Sequence, residues 1–92
     1  MHASYTIKLH RRVLKFVKEL SDKKVKVKIV RTLDMLTGYP IVLRRLDVEK
    51  LEGVNRAYRL RIGKYRIIFY ADKEERTIYV THIGKRGNFT RC

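Results

Sequence analysis

Residues 57–70 predict two short strands joined by a two-residue turn at Gly63-Lys64, because apolar and polar residues alternate over 58–62 and 64–67 and an apolar run follows. Successive side chains of a strand point to opposite faces, so one face of the predicted hairpin is apolar. This face consists of Tyr58, Leu60 and Ile62 on the first strand and of Tyr65, Ile67 and Phe69 on the second. We therefore expect the hairpin to pack this face against a hydrophobic core.

The other face of the predicted hairpin is cationic. Arg59 and Arg61 project together from the first strand, and Arg66 lies in phase with Ile68 and Tyr70 on the second. A guanidinium group is planar and can donate two hydrogen bonds to the oxygens of one phosphate. The pattern therefore predicts a phosphate-binding surface on the side of the hairpin that faces away from the core.

Two helices are predicted ahead of the hairpin. Apolar residues recur at helical spacing over residues 13–20, and Asp22 offers an N-cap for the segment that follows. Residues 23–37 begin with the alternation of a strand, but their long polar face favours a helix, and Gly38 lies where that helix would end. The two helices are expected to form an antiparallel pair.

Further strands complete the predicted fold. Residues 4–9 alternate as a strand does, residues 41–56 are expected to connect the helices to the hairpin, and a last strand runs from Thr77 to Ile83. The order strand, two helices, three-stranded antiparallel meander predicts an α+β fold with the helices on one face of a small sheet. Because the chain is short and shows no internal boundary, residues 1–92 are expected to form a single domain.

The net charge narrows the class of partner. Lysine and arginine together number 23, and aspartate and glutamate number 9, which gives a formal net charge of +14. Such a charge attracts polyanions, which include nucleic acid, anionic membrane surfaces and acidic proteins. The three carboxylates of residues 53–92 are Asp72, Glu74 and Glu75, and all fall in one predicted turn. The strands of this half are therefore expected to carry no carboxylate.

Cysteine and histidine usage does not suggest disulfides or metal sites. Cys92 is the one cysteine, which fits a reducing cytoplasm. His2, His10 and Cys92 are too scattered to suggest a zinc site, so neither a metal nor another cofactor is expected. The sequence shows no signal peptide and no apolar run long enough to span a membrane. The sequence contains no glutamine, and a low content of this residue is typical of proteins from thermophilic organisms.

Three runs of the sequence are specific enough to carry a family resemblance. They are Lys50-Leu51-Glu52-Gly53, Tyr58-Arg59-Leu60-Arg61-Ile62-Gly63-Lys64-Tyr65-Arg66-Ile67-Ile68-Phe69 and Ile83-Gly84-Lys85-Arg86. With the order of elements, these runs resemble the RelE/ParE toxin superfamily, and in particular its archaeal RelE-like mRNA interferase toxins. The resemblance implies a toxin of a type II toxin–antitoxin system, with a cognate antitoxin as its partner. Such toxins enter the ribosomal A site and cut the mRNA there, with the 2′-hydroxyl as the internal nucleophile.

The resemblance also implies a set of catalytic residues. Arg66 matches the active-site arginine on the family's central strand, and Arg86 matches a second arginine at the end of the last strand. Arg59 and Arg61 lie where bacterial members often have lysines that help to activate the 2′-hydroxyl. These four arginines are the predicted catalytic residues.

Four other residues are predicted to bind RNA. Lys64 and Lys85 lie at turns and can attract phosphate, while Tyr70 and Phe89 can stack on bases. Phe89 stands where the family usually has a tyrosine, and phenylalanine cannot donate a hydrogen bond. His82 on the last strand is a candidate proton shuttle, although a packed or solvated histidine is the commoner finding.

Two other functions stay open at this point. A ParE-like toxin that inhibits DNA gyrase by binding shares the fold but lacks the arginine set, so Arg66 and Arg86 weigh against it. A basic RNA- or ribosome-binding module without catalysis is the other alternative, because Phe89 replaces the expected tyrosine. The leading prediction is a cytoplasmic, ribosome-dependent endoribonuclease that inhibits translation.

Overall fold

The computed structural model describes residues 4–85, which form a five-stranded sheet and two helices. The strands are β1 (Thr6–Leu9), β2 (Val48–Lys50), β3 (Ala57–Ile62), β4 (Tyr65–Asp72) and β5 (Thr77–Lys85). The helices are α1 (Arg11–Glu19) and α2 (Lys23–Met35). Two short 3-10 turns, Leu36–Gly38 and Ile41–Arg45, lead from α2 to β2.

The strand order across the sheet is β1-β5-β4-β3-β2. β3, β4 and β5 form the predicted antiparallel meander, and β1 pairs with β5 in parallel, with Thr6 opposite Thr77. A parallel pair needs a long connection, and the chain between β1 and β5 contains both helices. The predicted α+β fold, with its helices on one face of the sheet, is confirmed.

The structure adds one strand that the sequence pattern does not predict. β2 lies within residues 41–56, which were expected to be a connection, and it pairs antiparallel with β3 so that Glu49 is opposite Arg59. Three residues are too few to show a clear alternation. A second difference concerns Asp72, which is the last residue of β4 rather than a turn residue, although its Oδ1 accepts a hydrogen bond from the N–H of Glu75 at 3.1 Å.

Both helices begin at a side-chain cap. His10 Nδ1 accepts a hydrogen bond from the backbone N–H of Arg12 at 3.0 Å at the start of α1. Asp22 Oδ1 accepts from the N–H groups of Lys24 and Val25 at 3.0 and 3.2 Å, which confirms the predicted cap of α2. Such a cap stabilises a helix by about 1 kcal/mol. Neither helix is long and apolar enough to cross a membrane.

The core lies between the two helices and one face of the sheet. All six residues of the predicted apolar face of the hairpin are buried, and Phe69 is fully buried. Val13 of α1 and Ile29 of α2 are also fully buried and belong to the same cluster. The alternation along β3 and β4 thus predicts the inner face of the hairpin correctly, and the helices leave the opposite face uncovered.

Candidate active site

The register of the hairpin brings the predicted arginines together on the sheet face that the helices leave uncovered. Gly63-Lys64 form the turn between β3 and β4, and Gly63 takes a positive φ of 59°, as the first central residue of such turns does. Arg61 therefore lies directly opposite Arg66, and Arg59 lies two residues before Arg61 on the same face. We call the surface that carries these three arginines the open face.

A glycine on β5 follows Arg66 in the same row of the sheet. Gly84 lies directly opposite Arg66, so Arg61, Arg66 and Gly84 form a row across three strands that are about 4.8 Å apart. Gly84 contributes no side chain to this row. Within residues 4–85, the Arg66 guanidinium thus has a neighbouring side chain in its row only on the β3 side.

The open face contains buried N–H groups that lack acceptors. The Nε atoms of Arg59 and Arg66 are shielded from solvent and make no hydrogen bond within residues 4–85. Leaving such a donor buried and unpaired costs about 1–3 kcal/mol. In the same part of the chain Arg66 forms no ion pair with a carboxylate, whereas Arg59 does. A phosphate oxygen can accept a hydrogen bond from Nε of Arg66 only when the side chain turns outward, and this bond would then remove the cost.

One carboxylate reaches the open face from β2. Nη1 of Arg59 donates a hydrogen bond to Oε2 of Glu49 at 2.7 Å, and Nη2 of Arg61 lies 3.7 Å from Oε1. The side chains of Arg59 and Glu49 are 31% and 48% exposed, and ion pairs at such exposure contribute at most about 1 kcal/mol. Glu49 is therefore held beside two arginines by contacts that a substrate can displace. The place of Glu49 in the site is not apparent from the sequence alone.

An imidazole lies on the other side of Arg66. His82 on β5 is opposite Ile68, which makes it a diagonal neighbour of Arg66 on the open face. Nη1 of Arg12, in the first turn of α1, lies 3.0 Å from Nε2 of His82, and Arg12 also contacts His10. Partial burial, followed by the charges of Arg12 and His10, lowers the pKa of His82 from its ordinary value of 6.5. The imidazole is therefore mostly neutral at pH 7.

The structure separates the predicted RNA-binding residues. Lys64 is exposed in the hairpin turn, next to the arginines. Lys85 lies opposite Tyr65, whose side chain belongs to the core, so the register places Lys85 on the helix side of the sheet and away from the arginines. Tyr70 lies on the open face, where its ring stacks on that of Tyr79.

Two other predicted site residues, Arg86 and Phe89, lie outside the described residues. Within residues 4–85, no three side chains of the histidine, cysteine, aspartate or glutamate type form a group that could hold a metal ion. What this part of the chain offers is a pair of facing guanidinium groups at Arg61 and Arg66 and a carboxylate at Glu49. Together they can bind a phosphodiester and accept a proton beside it.

Comparison with known proteins identifies the class to which this fold and site belong. The family model for the ParE toxin of the type II toxin–antitoxin system parDE matches residues 7–88. The chain belongs to the RelE/ParE family of toxins, as the resemblance in the sequence predicts. It is 32% identical over 82 residues to a protein of Methanocaldococcus jannaschii that bears the name toxin RelE1, and this match covers 89% of the chain and 90% of the relative.

Solved structures share the fold. A chain of the archaeal RelE–RelB complex from Pyrococcus horikoshii OT3 superimposes with a TM-score of 0.78 at 29% identity, over 91% of this chain and 97% of that one. The isolated RelE toxin of E. coli superimposes with a TM-score of 0.73 at 22% identity, over 90% and 85% of the two chains. The second likeness is one of fold alone.

Proposed function

We propose that this toxin is an endoribonuclease that enters the ribosomal A site and cleaves the mRNA through its own 2′-hydroxyl. The observation that carries the proposal is Arg66, which lies partly buried on the open face opposite Arg61, with an Nε donor that has no acceptor within residues 4–85. A phosphodiester of single-stranded RNA supplies such an acceptor. The proposal includes one toxin domain over residues 1–92 that acts in the cytoplasm without a metal or small-molecule cofactor.

The proposed reaction is an in-line displacement at phosphorus. The 2′-oxygen attacks the adjacent phosphorus, the new bond forms as the bond to the 5′-oxygen breaks, and the products are a 2′,3′-cyclic phosphate and a 5′-hydroxyl. Extra negative charge develops on the non-bridging oxygens, and Arg66 and Arg61 donate hydrogen bonds to them. Arg59 holds the RNA backbone, and Arg86 stays a predicted second phosphate ligand.

Glu49 is the proposed acceptor of the 2′-hydroxyl proton. A guanidinium group keeps its proton at physiological pH, so Arg59 and Arg61 are unsuited to act as bases. A carboxylate can accept a proton, and Glu49 contacts both of these arginines. The departing 5′-oxygen takes its proton from water, because the lowered pKa of His82 leaves little imidazolium to supply one.

Mapping of mRNA ends on ribosomes tests this mechanism. Ribosomes carrying a defined message are incubated with the protein, and primer extension locates the breaks. We expect cleavage within the A-site codon, and no cleavage of a message with a single 2′-deoxynucleotide at the mapped position. Equal cleavage of the deoxy message would contradict attack by the 2′-hydroxyl. An intact normal message would contradict the ribonuclease function itself.

Inhibition of DNA gyrase by binding is the second candidate function. The matched family model favours it, because that model describes ParE toxins. A supercoiling assay separates the two functions, and we expect no inhibition by this protein. Inhibited supercoiling with intact mRNA would replace the ribonuclease proposal. Tight ribosome binding without cleavage would instead support a binding module.

We also propose that a cognate antitoxin binds the helix side of the molecule through an acidic, amphipathic segment. An apolar groove of about 350 Å³ lies between β1 and the helices, and its lining residues are Ile7, Leu9, Leu14, Val17, Val30, Leu33 and Asp34. Leu14 and Val30 are half-exposed, and α1 and α2 together carry nine basic and two acidic residues. Opposite charge favours an acidic partner.

Co-purification tests this docking surface. A Leu14→Asp, Val30→Asp variant should no longer co-purify with the acidic product of the neighbouring reading frame. Undiminished co-purification would contradict the proposal that the antitoxin binds here.

A further inference from the structure

A pair of stacked tyrosines lies on the open face, beyond the arginines. The rings of Tyr70 on β4 and Tyr79 on β5 are within 21° of parallel, with 5.1 Å between their centroids. Tyr70 is 39% exposed, and the cleavage chemistry assigns no role to either ring. We call these two residues the tyrosine platform.

The platform is anchored at its β5 side. The hydroxyl of Tyr79 donates a hydrogen bond to Oε1 of Glu75 at 2.6 Å, and this hydrogen bond is the main cause that raises the pKa of Tyr79 to about 12. The backbone N–H of Glu75 in turn donates to Oδ1 of Asp72. Because the rings are already positioned, a planar ligand that stacks on them loses little free energy to ordering of the protein.

The neighbours of the platform in its row suit a nucleotide. Ala57 lies directly opposite Tyr70 on β3, so the neighbouring side chain in the same row, on the side away from Tyr79, is a methyl group. Arg59 is the diagonal neighbour on that side. On β1, the exposed Lys8 lies opposite Tyr79. The row therefore combines an aromatic surface, a small neighbour and a cation. Stacking on aromatic rings next to a positive charge is a common way to bind single-stranded RNA.

The platform lies along the same strand as the proposed phosphate ligand. Tyr70 is four residues beyond Arg66 and on the same face, which corresponds to about 13 Å along β4. This backbone separation is larger than the distance between a base and its own phosphate. It fits a nucleotide that flanks the cleaved one on an RNA strand extended along β4.

We propose that Tyr70 and Tyr79 form a base-stacking subsite for a single-stranded RNA nucleotide that flanks the phosphate bound by Arg66. The subsite rests on the proposed ribonuclease function for its biological role, but the binding of a base there does not require cleavage. If the two rings only stabilise the sheet, a bound RNA makes no contact with them.

Fluorescence of 2-aminopurine tests the subsite. Short single-stranded RNAs, 2′-O-methylated so that they cannot be cleaved, carry this base at one position each. We expect the wild-type protein and Tyr70→Phe to quench the fluorescence at one preferred position, because both present an aromatic ring. Tyr70→Leu should abolish the quenching and weaken the binding of the RNA roughly 5- to 150-fold. Tyr70 is exposed enough that both variants should fold, and thermal unfolding checks this.

The controls separate stacking from charge and from catalysis. Arg66→Ala should weaken RNA binding but retain the quenching at saturating protein. Equal quenching by the wild-type protein and Tyr70→Leu overturns the subsite, and so does a loss in Tyr70→Phe that matches the loss in Tyr70→Leu. Absence of quenching at every position in the wild-type protein overturns it as well. Failure of the ribonuclease proposal gives a different result, namely normal quenching and no cleavage of mRNA on ribosomes.

Discussion

The two faces of the sheet differ in how completely their side chains are paired. On the helix face Phe69 is fully buried, and the hydroxyl of Tyr58 is paired with that of Tyr39 at 2.9 Å. On the open face Arg59 and Arg66 keep buried Nε donors without acceptors among the described residues. Such donors cost about 1–3 kcal/mol each, and stability alone does not explain them. The comparison indicates that the helix face holds the fold together, whereas the open face is arranged for a ligand.

A cavity in the helix face should have the largest effect on stability. Phe69→Ala is expected to lower the free energy of unfolding by about 3–5 kcal/mol, because it removes a fully buried ring from the core. Urea denaturation measures the change. Phe69→Leu is the control that keeps most of the volume and should cost less. If the Phe69→Ala protein were as stable as the wild type, the claim that the helix face stabilises the fold more than the open face would be contradicted.

Removal of the open-face carboxylate should affect rate rather than stability. Glu49→Gln is expected to slow mRNA cleavage about 100-fold, the lower end of the usual contribution of a general base. Because the ion pairs of Glu49 are exposed, the unfolding free energy should change by less than about 1 kcal/mol. Glu52→Gln, which removes an equivalent charge from the exposed loop after β2, is the matched control. An unchanged cleavage rate in Glu49→Gln would assign the proton transfer to another group.

The smallest expected effect is a dependence of the protein's stability on pH, which arises from His82 on the open face. The pKa of His82 is lower in the folded protein than the ordinary value of 6.5, so the unfolded chain binds more protons just below that pH. Stability should therefore fall as the pH drops from 7 to below 6.5. His82→Asn should flatten this part of the profile of Tm against pH, and an identical profile would show that the titration of His82 does not bear on stability.

The hairpin is the region where sequence alone predicts most of the structure. The alternation of apolar and polar residues over 58–62 and 64–67 is long enough to define the strands, the turn at Gly63 and the face shared by Arg59, Arg61 and Arg66. The N-cap at Asp22 is likewise predictable, because its requirement is local.

Two parts of the candidate site depend on pairing that no local pattern specifies. Glu49 lies on a three-residue strand, and its only signal is the brief alternation that begins at Leu46. Arg12 and His82 are 70 positions apart and meet because β1 pairs in parallel with β5 next to the start of α1. Contacts of this kind follow from tertiary structure, so they cannot be predicted from the propensity or the periodicity of a local segment.

The central claim is that Arg66 is kept on the open face for catalysis and not for stability. The most direct test compares Arg66→Ala with Arg45→Ala, which removes an exposed arginine from the 3-10 turn before β2, for cleavage on ribosomes and for unfolding in urea. We predict that Arg66→Ala slows cleavage about 10²–10³-fold. Its unfolding free energy should equal or exceed that of the wild type, because an unpaired buried donor is removed, and Arg45→Ala should leave both quantities unchanged. Wild-type cleavage by Arg66→Ala would contradict the account.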